Sequence, residues 1–418
     1  MFEDKRIEKV QILIKQSRYT DAEKLLSDLL NTDPNDIHLL ALLAEVNLQQ
    51  DNLGKAYKVI DNAIGLSPDN PYLFYIKSRI AIEQDNFTEA ERSINQSILL
   101  DANDASYHAV MANIKLQKKQ FEEALEIANR ALGIDAENLL ALNTRSTALT
   151  KLNRSEEAFA TIEGALREDP NNAYTHTNYG WGLLEKGDHK KALEHFKEAL
   201  ANDPNYDVAQ LGILEAIKAA NPLYRLFLKF AFFMSNLTSK YQWGVIIGFY
   251  IVFRILRTIA KNNEALQPFL TPIIVTLALL AFSTWIINPI SNLFLRFNKY
   301  GQLLLDEKEK MSSNFVIVSL GLCLFGLLLY FVMSDEKMLT IAFFGFAMML
   351  PLGTMFSPTK NKNRLLIYTI ILAIIGVISI TMTFITGKLF NPLTFAFIIG
   401  FVAFQWVANY MLIKEDNH

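Results

Sequence analysis

Alanine recurs in this chain at Ala22, Ala56, Ala90, Ala124, Ala158 and Ala192, each 34 residues after the last. A period of that length, kept through six copies without insertion or deletion, constrains the fold more than any composition can. Each copy is too small to bury its own apolar face, so the copies must stack on one another to build a core. The register extends beyond alanine. Three residues before each alanine stand Tyr19, Leu53, Phe87, Phe121, Ser155 and His189, and twelve after it stand Pro34, Pro68, Ala102, Ala136, Pro170 and Pro204. Those last positions fall in the turns TDPND, LSPDN, LDAND, IDAEN, EDPNN and NDPNY. Proline cannot continue a helix, and the neighbouring Asp and Asn favour a turn.

This register resembles the tetratricopeptide repeat family, whose unit is two antiparallel helices joined by a turn. The resemblance is best in the second helices, as in DHKKALEHFKEALANDPNY, where Ala192 and Ala199 flank Phe196 at helical spacing. It implies an all-α superhelix of helical hairpins with repeats starting near residues 3, 37, 71, 105, 139 and 173. The sequence departs from the family pattern early in the first helices, where Arg6, Leu40, His108, Leu142 and His176 replace an aromatic and Phe74 stands in the third unit. One turn later Val10 stands where the other units have Ala44, Ser78, Ala112, Ser146 and Gly180, so the first unit is expected to be the least regular and frayed. A further amphipathic helix over 207–220 would cap the sixth unit with Val208, Leu211, Leu214 and Ile217, completing a repeat domain over 1–220.

By resemblance, the second, fifth, sixth, ninth and twelfth positions of each unit face the concave groove of the array. These include Tyr72, Tyr75 and Arg79 in the third unit, Asn113 in the fourth, Asn143, Thr144 and Thr147 in the fifth, and Tyr174, Thr177, Asn178 and Trp181 in the sixth. Aromatic rings interleaved with amides suit an extended protein or peptide segment, because amides satisfy its backbone while rings cover its side chains. The family's clamp for acidic C-terminal tails is not expected, since Ile7, Gln11, Leu42, Tyr72 and Ile76 occupy the matching positions.

After residue 220 the composition changes. Met1 to Ala220 contains 24 Lys and Arg against 35 Asp and Glu, a net of −11, whereas the remainder contains 16 against 8, a net of +8. A linker over 221–240, PLYRLFLKFAFFMSNLT at its centre, is aromatic-rich with two cations and suits a helix lying in a membrane interface. A membrane domain over 241–418 is expected to hold about six spans, 243–260, 269–290, 314–333, 338–356, 365–386 and 392–413, each able to cross about 30 Å of hydrocarbon. The first carries Arg254 and Arg257 near one end, where they can reach the interface. The segment 291–313 is expected to contain a second helix on the inner surface.

Lysine and arginine placement orients the chain. Arg225, Lys229, Lys240, Arg296, Lys299, Lys308, Lys310, Lys360, Lys362, Arg364 and Lys414 fall on one side; Lys261, Lys337, Lys388 and, by snorkelling, Arg254 and Arg257 fall on the other. The bias places the repeats and the C-terminus in the cytoplasm of a polytopic protein, expected in a bacterial inner membrane. The N-terminus, charged from its third residue, lacks the apolar run of a secretory signal.

No catalytic constellation is legible. Cys323 is the single cysteine, His38, His108, His176, His189, His195 and His418 all lie outside the expected spans, and no Asp or Glu lies within them. That argues against proton-coupled transport and intramembrane metalloproteolysis. No phosphate-cradling glycine motif is present, and an acidic soluble half repels nucleic acid. His189 and His195, six apart, read as a solvated helix surface. The expectation is therefore a non-enzymatic, membrane-anchored scaffold with no cofactor and no metal, binding a protein or peptide at the cytoplasmic face. Two alternatives stay open: a regulated pore or carrier, with Asn288, Gln405 and Asn409 as its first polar candidates, and a subunit of a larger membrane or secretion assembly.

Overall fold

In the computed structural model, residues 2–297, 307–356 and 363–416 are described, and those residues are all helical apart from turns. They form two compact units, Met1–Leu183 with Glu194–Ala209, and Leu184–Leu193 with Gln210–His418.

In the first unit the helices run α1 (Phe2–Lys15), α2 (Tyr19–Leu30), α3 (Ile37–Gln49), α4 (Leu53–Leu66), α5 (Pro71–Glu83), α6 (Phe87–Leu100), α7 (Ala105–Gln117), α8 (Phe121–Ile134), α9 (Leu139–Lys151), α10 (Ser155–Glu168), α11 (Ala173–Lys186) and α12 (His189–Asn202), the last two without Leu184–Leu193, which belong to the second unit. Their limits repeat because the turn chemistry repeats. Asp36, Asn70, Asp104, Asn138 and Asn172 each accept a backbone N–H from the first turn of the helix that follows, at 2.7–3.1 Å. Three residues before Asp36, Asp104, Asn138 and Asn172, the carboxylates of Asp33, Asp101, Asp135 and Asp169 accept the N–H two residues on and close the turn, as Asp203 does after α12. Each such cap satisfies a donor that the helix end would otherwise leave orphaned. The turns within each pair share a second device: Ser17, Asp51, Asp85, Lys119, Asn153 and Gly187 all have positive φ. Only the last is glycine, the residue that adopts this conformation without strain.

The six periodic alanines are fully buried. Ser78 Oγ and Ser146 Oγ donate to the carbonyls of Ala90 and Ala158 at 2.9 Å, pinning the two helices of a pair at their closest approach. In the sixth repeat Gly180 takes that place, and a β-carbon there would lie 2.6 Å from the ring of fully buried Phe196. The first repeat departs from the expected fraying: α1 forms, and Val10 and Leu13 pack into one core with Ala22, Leu26 and Leu29.

In the second unit α13 (Asp207–Lys218), whose residues from Gln210 onward belong here, leads to α14 (Pro222–Asn236), α15 (Ser239–Asn262), α16 (Gln267–Phe297), α17 (Glu307–Met333), α18 (Met338–Thr354), α19 (Arg364–Thr386) and α20 (Pro392–Asp416). Lys240–Asn262, Glu307–Met333 and Arg364–Thr386 are long and apolar enough to cross a membrane; Gln267–Ala278, Met338–Thr354 and Pro392–Ala408 are shorter apolar stretches. Of the segment 291–313, where a surface helix is expected, residues 291–297 continue α16 and 307–313 begin α17, while 298–306 lie outside the residues described.

Small residues set the packing of α17 on α18. A β-carbon on Gly326 would meet the backbone of Ala342, and one on Gly345 would meet the backbone of Cys323 and Ser319. Ser319 Oγ donates to the Gly345 carbonyl at 2.6 Å. Where lipid tails are as apolar as the side chains, such close approach is a main source of helix association. Asn391 caps α20, accepting from the N–H groups of Leu393 and Thr394 and donating to Thr383 Oγ1, and Tyr368 Oη donates to the Gly400 carbonyl of the same helix.

Gly180→Ala should destabilise the repeat unit by about 1–3 kcal/mol through overpacking against Phe196. Gly164→Ala, whose β-carbon meets only Arg167 at 3.8 Å, should instead stabilise it by about 0.5–1 kcal/mol. Thermal unfolding of the full chain in detergent, followed by far-ultraviolet circular dichroism, separates the two.

Candidate functional site

The first helices of the repeats carry every residue that the sequence pointed to, and the structure sorts them into two groups. The first lies across α3, α5 and α7. Tyr72 and Tyr75, one helical turn apart on α5, stack at 5.8 Å with their planes 19° apart, and Tyr75 meets Tyr107 of α7 at 5.5 Å. Arg79, a turn further along, holds its guanidinium 5.5 Å from the centre of the Tyr75 ring and donates to Glu45 on α3 at 2.9 Å. Glu45 and Arg79 are one period apart, so neighbouring helices bring equivalent positions side by side. The pair is partly screened by the rings, yet Tyr72 stays 38% exposed, leaving one aromatic face open to a ligand.

Burial, and then the Glu45 carboxylate beside it, pushes the Tyr72 hydroxyl well above the ordinary phenol range. Burial also raises Tyr75 and pushes Tyr107 up to about 12, with Asp104 adding to both. The patch thus combines tyrosine faces with carboxylates and a single guanidinium that is already paired. It offers apolar contact, cation–π attraction and hydroxyl donors.

The second group lies across α9 and α11 and is mostly turned inward. Asn143 is 1% exposed. Its amide donates to the Leu139 carbonyl at 2.8 Å and to Thr175 Oγ1 at 2.9 Å, and its oxygen accepts from Asn178 Nδ2 at 3.0 Å. The expectation that Asn143 offers its amide to a ligand is corrected by this network, because both donors and the acceptor are engaged. Thr147 donates to the Asn143 carbonyl, and Thr177 is buried. Trp181 packs edge-on against Phe196 at 5.6 Å, Tyr174 is 39% exposed, and Asn113 on α7 is half-buried. Tyr72, Tyr75 and Arg79 therefore converge, and Asn113 occupies the position equivalent to Arg79 on α7, whereas Tyr174 and Trp181 belong to the sixth repeat.

Sequence reasoning missed Glu45 and Tyr107. The period could have found Glu45, which occupies the same repeat position as Arg79; Tyr107 stands at a third position, outside the family's groove-facing set. It also misread His195 as solvated. His195 Nδ1 lies 3.0 Å from Nδ1 of buried His176, and its ring lies 4.3 Å from Tyr179. His176 Nε2 is 3.0 Å from the Pro170 carbonyl, which can only accept, so that nitrogen is the donor. His108 uses Nε2 on the Ala102 carbonyl in the same way. In the fourth and sixth repeats these two rings thus tie the first helix to the turn before it. Among the described residues no three His, Cys, Asp or Glu side chains are grouped as a metal site. In the second unit Gln405 is half-buried on α20, and the side chains of Asn288 and Asn409 lie outside those described.

Models of the tetratricopeptide repeat match residues 7–71, 47–114, 105–138 and 173–206. The segment 7–206 accordingly belongs to the tetratricopeptide repeat family. Similar solved structures include a tetratricopeptide repeat protein from Parabacteroides merdae, 16% identical with a TM-score of 0.45, covering 50% of this chain and 81% of that one. PilF of Pseudomonas aeruginosa is 16% identical with a TM-score of 0.40, covering 50% and 95%. YrrB, described as having an unusual peptide-binding site, is 17% identical with a TM-score of 0.31, covering 44% and 95%. Comparison with curated proteins yields no match.

Asn143→Ala should cost about 1–3 kcal/mol by leaving buried partners unsatisfied, seen as a lowered denaturant midpoint. The tyrosine shifts carry a sign. Raised hydroxyls bind their protons more tightly in the folded than in the unfolded chain, so their stabilising share is complete below about pH 10 and is lost as pH rises through the folded values. Phenolate absorbance during an alkaline titration should show a late-ionising set, and Tyr107→Phe should remove part of it.

Proposed function

We propose that the chain is a membrane-anchored, non-enzymatic scaffold whose repeat domain, residues 1–220, holds a protein or peptide partner at the cytoplasmic face. A repeat array of this family is a protein-interaction module, and the observation that supports a partner-binding role here is the half-open ladder of Tyr72, Tyr75 and Tyr107 beside the Arg79–Glu45 pair. Three successive repeats, through α3, α5 and α7, contribute to that face. The membrane part of the reading rests on three helices with the length and composition of spans. On this reading residues 241–418 form a polytopic domain in a bacterial inner membrane, joined to the repeats by the linker 221–240. The excess of Lys and Arg on one side of the expected spans supports cytoplasmic repeats and a cytoplasmic C-terminus. The groove uses Tyr72, Tyr75 and Arg79, with Tyr174 and Trp181 as outlying contacts.

A photo-crosslinking amino acid at Tyr72, installed in cells, should capture a discrete partner, and Tyr72→Ala with Arg79→Ala should lower recovery about tenfold, the loss of about 1.4 kcal/mol. The variant should melt at the same temperature as the parent. Equal recovery from parent and variant would remove this ladder from the binding site.

A further inference from the structure

α14 is held so that one edge faces the protein and the opposite edge does not. At its start Tyr224 Oη donates to Glu215 Oε2 at 2.6 Å, and Arg225 Nε donates to the Ala219 carbonyl at 3.0 Å, capping the end of α13. At its end the Met234 carbonyl accepts from Gln242 Nε2 of α15 at 2.9 Å. These contacts fix the rotation of the helix about its own axis. Tyr224 and Leu228 point inward and are 4% and 7% exposed. At 3.6 residues per turn, Leu226, Phe230 and Phe233 fall within about 60° of one another on the opposite side. They are exposed to 63%, 44% and 54%.

A polar outward edge would need no cover, but this one is leucine and phenylalanine. Two observations say what covers it. The first is charge: from Ala219 to Asn263 the chain contains no Asp or Glu and six Lys or Arg, with Arg225 and Lys229 beside the apolar edge and Lys240 just beyond it. The second is continuity. Three residues after α14 the chain enters α15, a span-length apolar helix whose first turns expose Tyr241 and Trp243, residue types that settle at the headgroup level of a bilayer.

We infer that α14 is a membrane-surface helix whose Leu226–Phe230–Phe233 edge sits at the boundary of headgroups and acyl chains, with Lys229 and Lys240 meeting anionic lipid headgroups. The helix then sets the depth at which the first span begins, and its protein-facing edge couples that depth to α13. This rests on the membrane reading above, and its test is built to fail separately.

Full-length protein with Cys323, its single cysteine, replaced by alanine receives one new cysteine at a time: Phe230→Cys, Phe233→Cys, Leu328→Cys on the exposed face of α17, or Lys58→Cys on the repeat unit. Each is labelled with bimane and reconstituted into nanodiscs of brominated phosphatidylcholine mixed with phosphatidylglycerol. Labels at 230 and 233 should be quenched to at least half the extent seen at 328, with the label at 58 unquenched. Quenching at 328 alone overturns the inference and leaves the anchor intact, as does capture of a protein by a crosslinker at 230. Absence of quenching at 328 as well takes the membrane reading with it. Lys229→Glu with Lys240→Glu should weaken quenching at 230; unchanged quenching overturns the role given to anionic headgroups.

Discussion

Contact between helices without intervening side-chain bulk is the constraint on which both units depend. In the repeats it is carried by the buried alanines from Ala22 to Ala192 and by Gly180, each lying where two helices approach most closely. A larger side chain at any of these would push a helix outward, and because each pair is the surface on which the next one stacks, the displacement would pass along the array. The serine bonds from Ser78 and Ser146 to carbonyls of the facing helix are possible only at that separation.

The same device appears in the second unit under a different driving force. Beside water, the exclusion of apolar surface holds helix pairs together, and small residues only permit the fit. In a bilayer, where the proposed function puts these helices, that exclusion would vanish, and the close contacts of Gly326 and Gly345 on the facing backbone, with the Ser319 hydrogen bond between them, would become a source of affinity in their own right.

Function follows from what the packing leaves over. The inner sides of the first helices are consumed by the stack, so only positions that escape it can meet a partner. Tyr72 escapes; Asn143 does not, because Thr175 and Asn178 from the next repeat complete its hydrogen bonds. The open surface is consequently more aromatic and less amide-rich than the residue types alone suggest. Rings held rigid against one another lose little conformational freedom on binding, which favours recognition by shape and apolar contact.

The six-fold register, the paired helices and the turns at each Asp-Pro or Asp-Ala were legible from residues 1–220 alone, because local chemistry dictates them: a capping Asp or Asn needs only the helix that follows it. The switch to apolar helices after residue 221 was legible for the same reason, since hydropathy is a property of the segment itself. What the tertiary structure alone decided were the meetings of residues far apart in the chain. Arg79 finds Glu45, Tyr75 finds Tyr107, His176 finds His195 and Asn143 is used up by its neighbours because stacking sets their separation.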